Sequence, residues 1–290
     1  EVDTPIIGDA TVCDNIDAFL TQAKARAFNG QVDVIELFGG NAGTTKVLLR
    51  RYNAVTGENF DLITGYNLLS TSCREKFWNY IREHKPVMII MAPPCTGLAG
   101  WKSINRVHHY DAWHRSRTTG IPLAKLAAEV ALYQIKHKRH FLVENPVGSD
   151  LYKLPEWEQL RPLCAQVTFN QCMTGLTGGQ GADQPLPISK PTEMWASHEF
   201  LLQRLRDKKC NGQHPHARLG TWDAKQRSAR AADAAMWSVK LCGLIADGVH
   251  DILEMHYRRQ HEKRTAFPSV GTGTAGDSPP APEASAEPSS

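Results

Sequence analysis

What the sequence lacks narrows its class first. None of its apolar runs approaches the roughly 20 residues of a membrane-spanning helix, and no basic start with an apolar core marks a secretory leader. A soluble chain is expected. Cysteine is sparse: Cys13, Cys73, Cys95, Cys164, Cys172, Cys210 and Cys242 make seven in 290 residues, an odd number without the dense spacing of a disulfide scaffold. Reduced thiols and an intracellular setting are the expectation. Net charge is only +3, too small by itself to signal nucleic-acid binding, although the basic residues are unevenly spread. No internal repeat is present. The chain opens on Glu1 rather than methionine, so a cut or processed end of a longer polypeptide is expected.

What is present starts with a core: 41% hydrophobic residues suffice for one large α/β domain or two small ones. The organising stretch is Val87-Met88-Ile89-Ile90-Met91, an unbroken apolar run that reads as a strand buried on both faces, followed by Ala92-Pro93-Pro94-Cys95-Thr96. The two prolines end the strand and leave Cys95 on a stiff loop at its carboxyl end, where open α/β sheets place reactive groups. A thiol needs only a modest pKa shift to become a nucleophile. A lone cysteine is more often a small buried side chain, so Cys95 gains weight only from its neighbours.

Upstream, residues 1–30 hold one amphipathic helix, with Ile16, Phe19, Leu20 and Ala23 on a face. The strand-like Val32 to Phe38 then runs into Gly39, Gly40, Asn41, Ala42 and Gly43 and a helix from Thr44 to Arg51. Strand, glycine turn and helix start form the nucleotide-cradling unit of doubly wound folds. The turn has neither the dinucleotide spacing nor the Lys-Ser/Thr ending of a phosphate loop. Asp61 closes a second strand where a carboxylate can hold ribose hydroxyls, with Glu58 in reserve, and a polar helix spans Thr71 to His84.

After Cys95, a long loop from Gly97 to His114 carries Trp101, Lys102, Arg106, His108, His109 and Trp113, and continues into Arg115 and Arg117. Basic groups interleaved with aromatics suit nucleic-acid backbone and base contacts. A solvated surface loop explains the composition equally well. Ile121 to Gln134 is an amphipathic helix, and Phe141-Leu142-Val143 a strand ending in Glu144-Asn145-Pro146. If that helix is a right-handed crossover, the strand ends at Cys95 and Glu144 lie side by side.

These residues together resemble the cytosine-5 DNA methyltransferase family. Glu36-Leu37-Phe38-Gly39-Gly40-Asn41-Ala42-Gly43 is similar to its cofactor loop, Pro93-Pro94-Cys95-Thr96-Gly97 to its nucleophile motif, and Glu144-Asn145-Pro146 to its Glu-Asn-Val motif. The resemblance covers residues 32–147 and departs at Thr96, usually glutamine, and at Pro146, usually valine. Asn67 stands where an acidic adenine contact is usual. The Gln-x-Arg-x-Arg motif is not readable; Gln184 and Lys190 are its weak substitutes. No long target-recognition domain is evident.

The resemblance implies a Rossmann-like methyltransferase sheet binding S-adenosylmethionine through Glu36, Phe38, Gly39, Gly40, Gly43, Asp61, Asn67 and Pro93. It implies Cys95 and Glu144 as catalytic residues and DNA as partner, contacted through Trp101, Lys102, Arg106, Arg115, Arg117 and Lys190. An RNA substrate, an amino-methyltransferase and a catalytically silent nucleic-acid-binding module are the alternatives.

In the second half, Gln166 to Phe169 reads as a strand and Leu176 to Gly181 as a flexible turn. Cys210, His214 and His216 have the spacing of compact zinc ligands, with Cys172 as a distant fourth; a basic surface turn is the plain alternative. A helical stripe fills about Ala231 to Tyr257. The expected organisation is a helical extension at 1–30, a catalytic α/β core at 31–165, a helical and irregular C-terminal subregion at 166–262 and a disordered Gly/Ser/Pro-rich tail at 263–290.

Overall fold

The computed structural model describes residues 30–100, 102–178, 186–217, 222–223, 228–229 and 234–266. The expected helix within 1–30 and the tail beyond 266 lie outside them. Strands β1 (Val34–Leu37) and β3 (Met88–Met91) are buried along their whole length, as central strands covered on both faces must be. With β2 (Thr56–Phe60) and β4 (His140–Pro146) they form four parallel neighbours in the order β2-β1-β3-β4.

Two further strands complete a six-stranded sheet. β5 (Ala165–Asn170) lies at the edge, and β8 (Pro191–Ala196) runs antiparallel between β4 and β5. The sheet therefore crosses the boundary expected at residue 165. Between them, β6 (Thr177–Gly178) pairs with β7 (Leu186–Pro187) as a small separate ladder. The architecture is mixed α/β, compatible with a Rossmann-like fold.

The period-2 alternation of the strands splits the core in two. Ile35, Leu37, Ile89, Met91, Phe141 and Val143 face α2 (Thr71–His84), α4 (Tyr110–Lys136) and α5 (Pro155–Leu160). Val34, Met88, Ile90 and Leu142 face α1 (Gly43–Tyr52) and α6 (Val239–Ala266). Each Leu or Ile buried in this way contributes about 1.5–3 kcal/mol of hydrophobic stabilisation.

Two expectations need correction. The segment after Cys95 is not a long loop: Lys102–His108 forms α3, and α4 starts at Tyr110, passing through Pro122. A proline inside a helix costs about 3 kcal/mol. Tertiary anchors offset this: Gly120 is buried against Leu98, and Arg117 pairs with Asp150 at 2.9 Å. Further, α6 starts at Val239 rather than near Ala231, because Ser238 Oγ accepts the Leu241 N–H at 3.0 Å and caps the helix there. It continues past Tyr257 to Ala266. No described helix is long and apolar enough to cross a membrane.

Candidate active site

Along the sheet the strand order reverses between β1 and β3, and such a switch point opens a crevice at the carboxyl ends of the strands. A cavity of about 1080 Å³ occupies that position. Phe38, Gly40 and Asp61 line one end of it, and Cys95, Glu144 and Lys190 the other.

The glycine turn is held from several sides. Phe38, Gly40 and Ala42 adopt left-handed backbone with φ of 60°, 52° and 53°. Asn59 Nδ2 donates to the Gly40 carbonyl at 2.7 Å, while the Gly40 N–H donates to Asp61 Oδ2 at 2.9 Å. The end of β2 thus grips Gly40 by both of its backbone groups. A Cβ at Gly39 would lie 2.5 Å from Glu36 and 2.7 Å from Asn59, so only glycine packs there.

Glu36 is 2% exposed and accepts the Thr45 N–H at 2.8 Å, satisfying a donor in the first turn of α1. Burial pushes its carboxyl up, and the Thr45 hydrogen bonds oppose that rise. Asn67 does not line the cavity; its Oδ1 accepts the Leu69 N–H at 3.1 Å and shapes a turn. Gly43 and Pro93 both line the cavity, as expected of cofactor contacts.

At the other end, β3 and β4 pair in parallel, with Met91 opposite Val143, so the next residues bring Cys95 and Glu144 to one rim. Asn145, fully buried, donates through Nδ2 to the Pro93 carbonyl at 2.9 Å and fixes the proline loop on the end of β4. Glu144 is 5% exposed. Its Oε1 lies 3.3 Å from Lys190 Nζ and 3.4 Å from Gln171 Nε2. Burial pushes the Cys95 thiol up; Lys190 opposes the rise and Glu144 adds to it. A nucleophile, a carboxylate and a cation thus share one partly dry corner.

Of the residues expected to touch nucleic acid, Lys190 lies at this corner, immediately before β8. Lys102 and Arg117 are both tied to Asp150, at 2.6 and 2.9 Å. They brace α3 and α4 against the turn after β4. Burial raises the Asp150 carboxyl, but the Lys102 and Arg117 hydrogen bonds outweigh it and hold the group below its usual value. Arg106 and Arg115 are exposed, beside exposed Val107 and Tyr110. Trp101 and Gln184 lie outside the described residues.

Several contributors carried no sequence signal. Met236 and Trp237, just before α6, wall the glycine-loop end, where Asn41 Nδ2 donates to Met236 Sδ at 3.4 Å. Gln171 is an ordinary amide until the sheet register brings it to Glu144; Asn145 was legible as part of the Glu144-Asn145-Pro146 motif, but its hold on Pro93 was not. Away from the crevice, the four expected metal ligands Cys172, Cys210, His214 and His216 do converge, their ligand atoms all within 4.8 Å of one another.

No protein-family model matches the chain, and no curated protein matches it significantly. The functional reading therefore rests on the geometry and the three motifs.

Proposed function

We propose that the chain is an S-adenosylmethionine-dependent methyltransferase that acts at carbon 5 of cytosine in DNA, its sheet being a Rossmann-like methyltransferase core. The observation that carries this reading is a cysteine and a carboxylate on the ends of adjacent parallel strands, in the same cavity as a glycine turn.

The residues present fit the cofactor. At about 1080 Å³ the cavity lies just above the roughly 300–1,000 Å³ that holds a single drug-sized ligand, leaving space for a nucleobase beside it. Nothing lies within 4 Å of a Cβ placed on Gly40, so the turn leaves an open side. Each Asp61 oxygen accepts one backbone N–H and keeps a lone pair for a ribose hydroxyl. Phe38, Gly39, Gly40, Gly43, Asp61 and Pro93 would hold the group. When bound, it supplies an electrophilic methyl.

The chain's own residues do the rest. Cys95, as thiolate, adds to carbon 6 of the cytosine ring, and the ring's π electrons move toward carbon 5 and N3. Glu144, carrying a proton, donates it at N3, so that carbon 5 becomes nucleophilic enough to take the methyl. Loss of the carbon-5 proton to solvent base then expels the Cys95 thiolate, and N3 returns its proton to Glu144. Lys190 favours the thiolate form of Cys95. In duplex DNA the target base must leave the stack, at a cost of a few kcal/mol. The exposed Arg106, Arg115, Val107 and Tyr110 on α3 and α4, beside the rim, suit contacts to that distorted duplex.

The test is transfer from labelled S-adenosylmethionine to duplex DNA, single-stranded DNA and RNA, with the product nucleoside identified by mass. Wild type is expected to make 5-methylcytosine in DNA, and Cys95→Ala none. Equal transfer by Cys95→Ala, or a methylated exocyclic amine as product, would overturn the reading.

A further inference from the structure

The cluster of Cys172, Cys210, His214 and His216 lies outside the crevice, and its geometry can be compared with that of a metal. A tetrahedral zinc ion with Zn–S of about 2.3 Å and Zn–N of about 2.0–2.1 Å sets sulfur-to-nitrogen edges at roughly 3.5–3.6 Å. Cys210 Sγ lies 3.7 Å from His214 Nε2 and 3.5 Å from His216 Nε2. One cation engages both rings and both sulfurs together, and all four ligand atoms lie within 4.8 Å of one another. The Gly212 N–H also donates to Cys210 Sγ at 3.3 Å, in a turn made by Gly212 at φ 75°, and such a donor stabilises a thiolate ligand.

The surroundings need such a staple. Among the described residues, the core cluster of this segment is Leu176, Ile188 and Ala217 with Ala234 packed against it, little apolar burial to hold it in place. The loop bearing Cys210 is laid along β5: the Asn170 N–H donates to the Lys208 carbonyl, and the Cys210 N–H to Asn170 Oδ1, both at 2.9 Å. Cys172 directly follows Gln171. The backbone N–H of Gln171 donates to the Lys190 carbonyl at 3.1 Å, and its side chain reaches Thr192 Oγ1 at 2.9 Å as well as Glu144. Whatever fixes Cys172 thus also fixes the peptide that orients Lys190 and Glu144.

We propose that Cys172, Cys210, His214 and His216 form a closed structural zinc site that clamps the 206–217 loop to the end of β5 and, through Gln171, holds the floor of the Cys95 crevice. Four protein ligands leave no open position, so the ion is structural rather than catalytic. Two cysteines lose their protons on binding, and the resulting thiolates balance the charge of the divalent cation.

The test reads metal rather than methyl transfer, so its failure is separate from any failure of the proposed activity. The full chain, isolated from zinc-supplemented growth, should carry about one zinc per chain, and Cys210→Ser and His214→Ala well under half of that. Cobalt(II) added to metal-stripped wild type should give the intense visible bands of a tetrahedral thiolate site, a readout that needs no variant to fold. Stripping the metal should speed hydrogen exchange at least tenfold in peptides covering 165–174 and 187–196. Wild type with little zinc and no cobalt bands, or a mass showing a Cys172–Cys210 disulfide, would overturn the site. Unchanged exchange at 187–196 would overturn its hold on the crevice.

Discussion

The side-chain amide of Asn145 donates to the carbonyl oxygen of Pro93 at 2.9 Å, deep in the protein, so the strand that carries Glu144 physically holds the loop that carries Cys95. Asn145→Ala leaves that carbonyl buried without its donor, a loss of about 1–3 kcal/mol. The prediction is a lower unfolding midpoint together with at least a tenfold fall in kcat, with a smaller loss of affinity for S-adenosylmethionine, because Asn145 holds only Pro93 among the proposed cofactor contacts. Denaturant titration, single-turnover kinetics and calorimetric binding measure the three quantities.

Lys190 opposes the burial that pushes the Cys95 thiol up. Removing its charge lets that thiol titrate at higher pH. Lys190→Gln should therefore move the rising limb of the rate of Cys95 alkylation to higher pH than in wild type. Mass spectrometry of the Cys95 peptide follows this without interference from the other cysteines. A limb that stays in place, or moves down, contradicts the role given to Lys190.

His140 lies beneath the sheet's end, with its Nδ1 3.1 Å from Ser197 Oγ and with His198, His256 and Arg259 close by. Burial, helped by the neighbouring His256, His198 and Arg259, lowers its pKa from 6.5 to about 4. The unfolded chain then binds the extra proton first as pH falls. Stability is complete above about pH 6.5 and declines on acidification toward pH 4, by a total on the order of 3 kcal/mol. His140→Gln should flatten that part of the stability curve, as read by urea unfolding at neutral and mildly acid pH.

The helix over Thr71–His84 was legible in the sequence to the residue, because its start, stop and apolar face all agree. β1, β3 and β4 were legible as short apolar runs ending in breakers, and a right-handed crossover was the condition for the ends of β3 and β4 to lie side by side; the place of β1 beside β3 had no such signal. β8 was not: Pro191-Thr192-Glu193-Met194-Trp195-Ala196 opens with proline and mixes polar residues, and its place between β4 and β5 depends on long-range antiparallel pairing. Lys190 immediately precedes that strand, so its place beside Glu144 could not be read from the sequence, where it stood only as a weak substitute for the family's arginine motif. The helix expected from Ile121 starts instead at Tyr110, and packing at Gly120 and the Arg117–Asp150 pair carry it through Pro122.

Asp150 gathers Lys102, Arg117 and Lys153 onto one carboxylate. Asp150→Asn should destabilise the fold by about 1–3 kcal/mol and raise hydrogen exchange along α3. Because the carboxyl is held below its usual value, the ion pairs are complete above that value and are lost as pH falls through the lowered one. The variant should accordingly lose less stability than wild type on strong acidification.

The most direct test of the central claim uses duplex DNA in which fluorine replaces the carbon-5 hydrogen of cytosine, incubated with the chain and S-adenosylmethionine. Fluorine cannot leave as a proton does, so the step that expels Cys95 is blocked and the adduct accumulates. The account predicts a complex of protein and DNA that survives denaturation, maps to the Cys95 peptide and is missing in Cys95→Ala. No such complex, or one that maps to another cysteine, contradicts covalent catalysis by Cys95.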